Sequence, residues 1–266
     1  MSNFKEYFEG KKLYGDDFSI EQITEWYEDE KDAYFNLGEK DRCNYKYGYH
    51  SLNYKYGFSY LPNKTFDNVL SLGGAYGDEL LPIRDRIGRI TIVESTDKFS
   101  ESNKDPFISY VKSQTSGELP FPNDYLDLVI CFGTLHHIPN VSKVVKEIYR
   151  CAMRGGYVLI REPIVSMGDW REERRGLTKR ERGIPLHIFR RIIADTGFNI
   201  INERKCMFSL TSRLRYFVKD SVYNSKSALL LDRWFCMLFG WNNTYHATNL
   251  FLKLRPTSIF YVLYKQ

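Results

Sequence analysis

Short apolar runs separated by glycine turns and by helical patterns mark this chain as α/β. Val69-Leu70-Ser71-Leu72 is short enough for a buried parallel strand. Gly73, Gly74 and Gly77 follow within five residues, and a helical pattern begins at Asp78. A second apolar run, Ile90-Thr91-Ile92-Val93, ends on the acid Glu94. Further runs predict a third strand at 107–111, a fourth at 126–132, a fifth at 157–160, a sixth at 198–206 and a seventh at 258–264. Between the fourth and fifth, 141–153 reads as an amphipathic helix with Val144, Val145, Ile148 and Tyr149 inward, capped by Arg154-Gly155-Gly156. Residues 186–196 read as another helix, stopped by Gly197.

The two flanks follow a different pattern. Residues 1–64 read as helical, with a start at Asp17-Phe18-Ser19-Ile20-Glu21 and Ile20, Ile23, Trp26 and Tyr27 at helical spacing. Asn44-Tyr45-Lys46-Tyr47-Gly48 recurs as Asn53-Tyr54-Lys55-Tyr56-Gly57, which suits an aromatic face on the core or a lid with Tyr47, His50 or Tyr54 over a ligand. The stretch 207–256, rich in Trp, Phe and Leu, reads as an insertion that caps a site or makes a dimer contact.

Composition narrows the function only modestly. At 266 residues the expectation is one elaborated domain, and a net charge of +5 is too small for a nucleic-acid binder but compatible with anionic small substrates. The five cysteines form no C-x-x-C pair, so no metal site and reduced cytosolic thiols are expected. The N-terminus has no apolar h-region, and the apolar segment 227–241 is broken by Asp232 and Arg233. A cytoplasmic protein without a membrane span is expected.

The chemistry gathers where strands end. Strand, glycine turn, helix, strand and terminal acid make a nucleotide-binding βαβ unit: the glycines admit a ligand to the backbone, and Glu94 is placed for a ribose diol. Thr134-Leu135-His136-His137-Ile138-Pro139 lies just past the fourth strand, and Arg161-Glu162-Pro163 leaves the fifth at the same rim. The segment 169–191 carries Arg171, Arg174, Arg175, Lys179, Arg180, Arg182, Arg190 and Arg191. It reads either as a solvated face, given Glu172, Glu173 and Glu181, or as a clamp for phosphate or carboxylate.

Four pieces in order, VLSLGGAYG (69–77), TIVE (91–94), LPFPNDYLDLVICFGTLHHIPN (119–140) and RGGYVLIREP (154–163), resemble class I S-adenosylmethionine-dependent methyltransferases of the small-molecule type. The resemblance covers about 66–204 and the last strand. It implies a Rossmann-like, seven-stranded α/β sheet with the last strand antiparallel and helices on both faces, preceded by a helical cap (1–64). Insertions at about 166–185 and 207–256 in the 65–266 domain would cap the substrate. It further implies S-adenosylmethionine as cofactor, with S-adenosylhomocysteine as product. Gly73, Gly74 and Gly77 would pass its methionine and ribose, Glu94 would hold the ribose, Thr115 would read adenine, and Cys131, Phe132 and Gly133 would lie beside the sulfonium. Ser71 stands where the family has an aspartate and Ala75 where it has a glycine.

His136 and His137 would supply a base for a hydroxyl acceptor, with Glu162 as the alternative, while Arg161, Arg174, Arg175 and Lys179 would bind an anionic acceptor. The stretch 168–185 also looks like segments of bacterial capsule or lipopolysaccharide methyltransferases. O-methylation of a sugar, nucleotide-sugar or phosphorylated precursor is the leading expectation, with self-association through the C-terminal aromatic insertion. A methyltransferase of protein or RNA, or a non-catalytic partner of the same fold, are the alternatives.

Overall fold

The computed structural model describes residues 2–36, 41–216 and 221–266. Their helices are α1 (Ser2–Phe8), α2 (Ile20–Glu30), α3 (Ala33–Asn36), α4 (His50–Tyr56), α5 (Lys98–Ser102), α6 (Val141–Cys151), α7 (Leu186–Thr196) and α8 (Lys226–Leu238). The strands are β1 (Phe66–Leu72), β2 (Ile87–Glu94), β3 (Ile108–Lys112), β4 (Leu126–Phe132), β5 (Ala152–Pro163), β6 (Asn199–Phe208) and β7 (Pro256–Tyr264). They form one sheet in the order β3-β2-β1-β4-β5-β7-β6. The first five pair in parallel, and β7 runs antiparallel between β5 and β6. This is the expected Rossmann-like class I methyltransferase sheet. Its order reverses between β1 and β4, so the connections leaving those two strands part in opposite directions and open a crevice at their C-terminal ends.

Two apolar layers cover the sheet. Val144, Val145 and Ile148 of α6 pack with Phe189 and Ile193 of α7 on one face, confirming the amphipathic pattern of α6. Leu52, Phe58, Leu80, Ile83 and Leu229 cover the other. Gly197 ends α7 with φ +87°, a left-handed stop that costs glycine nothing. Ser19 caps α2, with its hydroxyl and Gln22 forming reciprocal bonds to the backbone.

Three local readings need correction. The helical pattern from Asp78 is a 3₁₀ segment, Asp78–Arg86, kinked at Ile83 because Pro82 lacks the N–H that would continue an α-helix. Arg154-Gly155-Gly156 does not cap α6 but lies inside the long strand β5, where Gly155 N–H donates to Lys265 O at 2.8 Å. Asp232 does not merely interrupt an apolar run: it is buried and accepts from the N–H groups of Met207 and Phe208 and from the Thr211 hydroxyl, fixing α8 against the end of β6. The outer face of α8 and the turn beyond it expose Leu230, Trp234, Met237, Leu238 and Trp241. No helix of the described residues is long and apolar enough to cross a membrane. The expected 1–64 cap and 207–256 insertion include 37–40 and 217–220, which lie outside the described residues.

Candidate active site

The crevice at the strand switch is a cavity of about 640 Å³, a size suited to small molecules. One half is built by the ends of β1 and β2. Gly73, with φ +68°, follows β1, and a Cβ there would collide with the Thr134 side chain. Ala75 adopts φ +50°, the left-handed region that glycine takes without strain and alanine only at a cost. Its N–H donates to Glu94 Oε1 at 2.7 Å and its carbonyl accepts from the Tyr110 hydroxyl at 2.9 Å. Ser71 donates to Glu79, whose side chain folds beneath Gly74 so tightly that only glycine fits there. A carboxylate thus stands against Ser71, brought from eight residues later in the chain.

Burial pushes both Glu79 and Glu94 up to about 7, offset in part by the Ser71 hydroxyl and the Ala75 N–H respectively. Since each folded pKa lies above the ordinary 4.5, burial favours the protonated acids, and that contribution to stability is lost as pH rises from about 4.5 through 7. A ligand bearing an ammonium reverses the preference. Affinity for such a ligand should rise about tenfold between pH 6 and pH 8, following the ionised fraction of Glu79. Calorimetric titration at both pH values checks this; a flat profile removes Glu79 from the contact.

The other half follows β4 and β5. His136 and His137 sit in a short 3₁₀ turn, Leu135–His137. His136 Nδ1 is 2.7 Å from Glu162 Oε2, and its Nε2 is 3.3 Å from Glu181 Oε1. Burial alone would lower the imidazole's pKa, but the hydrogen bonds and charges of Glu162 and Glu181 outweigh it and raise it to about 9. Glu181 falls correspondingly to about 2 despite burial. His137 Nδ1 is 2.9 Å from Glu30 Oε2, an oxygen that also accepts from the Thr178 hydroxyl at 2.7 Å. Arg161 is buried beside them, with its guanidinium 4.1 Å from the Tyr49 ring centroid and Nη1 donating to Asn53 Oδ1 at 2.9 Å.

Of the residues singled out from sequence, Ser71, Gly73, Gly74, Glu94, Phe132, Gly133, His136, His137 and Arg161 line the cavity. Others do not. Gly77 starts the 3₁₀ segment with φ +77°, its Cα facing Ile108. Thr115 is exposed beyond β3, and Ser113, whose N–H donates to the Glu94 carbonyl, lines the wall instead. Cys131 is buried behind the wall against Glu162. Glu162 is itself fully buried and takes the N–H groups of Thr134 and Leu135, both at 2.8 Å, so it orients His136 and is closed to an acceptor.

The basic segment is no clamp. Arg174 turns both Nη groups to the carbonyls of Met167, Thr178, Lys179 and Glu181; Lys179 pairs with Asp29; Arg175 is exposed. Only Gly176 and Glu181 of that segment reach the wall. The sequence reading missed Glu79, Glu30 and Glu181. Glu79 alone left a signal, an acid one turn past the glycines that complements Ser71. Tyr47 lines the cavity as a lid would require, whereas Tyr54 is exposed and His50 Nε2 is bonded to the Asp78 carbonyl.

Residues 61–160 match the family model described as a methyltransferase domain. The fold is that of the class I methyltransferases. The chain shares it with a methyltransferase solved in complex with the Trm112 activator from Haloferax volcanii (15% identity, 81% of this chain and 89% of that one, TM-score 0.53). It is also similar to a S-adenosylmethionine-dependent methyltransferase from Listeria monocytogenes (12%, 79% and 95%, TM-score 0.52). A third is phosphoethanolamine N-methyltransferase 2 from Haemonchus contortus, solved with phosphomonomethylethanolamine and S-adenosylhomocysteine; it shares 19% identity over 80% of this chain and 52% of that one, with a TM-score of 0.53. No curated protein matches the sequence. The methyltransferase domain model ends within β5, so Glu30, Arg161 and Glu181 lie outside the stretch it covers.

Proposed function

We propose that this methyltransferase domain transfers a methyl group to a hydroxyl oxygen of a small, polar, anionic acceptor in the cytoplasm. The cofactor is S-adenosylmethionine, and the cavity fits it. Glu94 offers two oxygens to a ribose diol, Ser71 and Glu79 a polar and ionisable pair to the ammonium, and Gly73, Gly74, Phe132 and Gly133 an unobstructed path for methionine and sulfonium. When bound, the cofactor supplies an electrophilic methyl group. A hydroxyl acceptor held in the cavity would take up that methyl group through an oxygen lone pair and give its O–H proton to solvent water; His136, raised to about 9 by Glu162 and Glu181 despite burial, is already protonated near neutral pH and is not the base expected from sequence.

Arg161 carries the acceptor assignment. It is buried in the wall, its Nη2 lies 4.0 Å from where a Cβ on Gly133 would stand, and no ion pair to it occurs among the described residues. A buried guanidinium held by an amide and an aromatic face retains donors for an anion. A sugar phosphate, a nucleotide-sugar or another phosphorylated precursor of a surface polysaccharide meets that requirement.

Labelled S-adenosylmethionine offered with a panel of these compounds, alongside bulk RNA and protein, tests the reading. Label entering only RNA or protein would overturn it. Arg161→Met should raise the KM for the anionic acceptor about 10–100-fold, the worth of a charged hydrogen bond, while S-adenosylhomocysteine affinity stays within a few-fold. An unchanged KM would remove Arg161 from the acceptor site.

A further inference from the structure

We propose that His136, His137 and Glu181 form a binding site for one divalent transition-metal cation in the wall of the acceptor pocket. One ligand atom from each lies within 4.8 Å of the others. Three N/O ligands at about 2.0–2.2 Å from one ion stand roughly 3–4 Å apart, so side-chain adjustment closes the set without backbone change. Two imidazoles and a carboxylate suit zinc, manganese, iron or cobalt, and leave coordination positions open.

The outer partners make this more than a chance cluster. Each histidine has its Nδ1 held by a carboxylate, Glu162 on His136 and Glu30 on His137, and His136 turns its Nε2 to Glu181 at 3.3 Å. Carboxylate–histidine–metal relays fix tautomer and ring orientation in this way. The outer carboxylates are fixed in turn: Glu162 by Thr134 and Leu135 N–H, Glu30 by the Thr178 hydroxyl and by Arg180 N–H at 3.0 Å. The ligands come from the loop after β4 and from the 166–185 segment, and Glu30 from α2, so no local spacing announces the site. The absence of a C-x-x-C pair, which argued against a metal from sequence, does not bear on a His-His-Glu set.

The site also faces the right way. His136 Cε1 is 3.6 Å, and Arg161 Nη2 4.0 Å, from the Cβ position of Gly133, so cation and guanidinium would flank one opening. An acceptor oxygen on an open coordination position would lose its proton to water more readily, leaving an alkoxide for the methyl group. That role rests on the O-methylation reading; cation binding does not.

The full chain, stripped with a chelator and dialysed, should be titrated separately with Mn²⁺, Co²⁺ and Zn²⁺. The expected result is one equivalent bound with a Kd near or below about 10 μM for at least one ion, and visible absorption bands for Co²⁺. Glu181→Gln should weaken that binding at least tenfold, and Glu30→Gln, which loosens His137 and the 178–180 stretch next to Glu181, about 10–100-fold. S-adenosylhomocysteine affinity of each variant reports that it has folded. Failure of all three ions to saturate below about 1 mM overturns the site, as does binding indifferent to both substitutions. The cobalt spectrum of the unaltered chain decides the matter if a variant fails to fold. Methyl transfer without cation binding would leave the function standing and the site refuted; cation binding without any methylated acceptor would do the reverse.

Discussion

Glu94→Ala should reduce affinity for S-adenosylhomocysteine at least 100-fold. A carboxylate that accepts both hydroxyls of a ribose makes two charge-assisted hydrogen bonds, each worth about 1.5–3 kcal/mol, so the pair corresponds to a loss of about 10²–10⁴ in Kd. The loop suffers as well, because the Ala75 N–H now donates to Glu94 Oε1, and Ala75 holds an unfavourable left-handed backbone that this bond helps to fix. Glu94→Gln keeps one acceptor oxygen and should fall between the two. Glu79→Gln should cost less, about tenfold, because the Ser71 hydroxyl remains for the ammonium group and only the charge is lost. Calorimetry with S-adenosylhomocysteine at pH 8 measures all three. A Glu94→Ala affinity within about threefold of the unaltered chain would place the ribose elsewhere.

The parts of this molecule that were legible in its sequence are those set by short-range pattern. Apolar runs of strand length located all seven strands, and the helix Leu186–Thr196 was marked by its periodicity and by Gly197. The half of the cavity wall that follows β1 and β2 was legible too, because Gly73, Gly74 and Glu94 lie at the ends of adjacent strands and need no distant element to place them. What escaped was long-range. Glu30 reaches His137 from α2, and Glu181 reaches His136 from a segment that looks like a solvated charged face. Alternating signs there suggested independent surface charges, whereas Arg174 and Arg180 are consumed in holding the segment to itself and to α2. Thr115 failed for a smaller reason: β3 ends at Lys112 and Ser113 still bonds to β2, so the wall position falls two residues earlier.

Arg182 concentrates that lesson, and its replacement should cost the most stability. It belongs to the basic segment, yet it is fully buried. Its Nε donates to the Tyr14 carbonyl at 2.9 Å, Nη1 to those of Leu135 and His136 at 3.1 and 3.0 Å, and Nη2 to those of Ile138 and Pro139 at 2.8 and 3.2 Å. One guanidinium thus ties the N-terminal segment to the turn that carries both histidines, adding a second donor to the Leu135, His136 and Pro139 carbonyls, which already accept from backbone N–H groups, and serving those of Tyr14 and Ile138. Burial lowers its pKa, but the group remains charged at any accessible pH. Arg182→Met fills the space but takes the side-chain donor from all five carbonyls, with the Tyr14 and Ile138 carbonyls losing most. Removing a buried charged partner costs about 3–5 kcal/mol, which for a domain of this size lowers Tm by roughly 6–20 °C. Arg182→Lys keeps the charge but reaches fewer carbonyls and should recover only part of the loss. Below the new Tm, Arg182→Met should still bind S-adenosylhomocysteine through the β1 and β2 half, while turnover drops because the turn bearing His136 and His137 is no longer held. A Tm within about 2 °C of the unaltered chain would show that the carbonyls find other partners, and that the histidine turn is organised from the sheet alone.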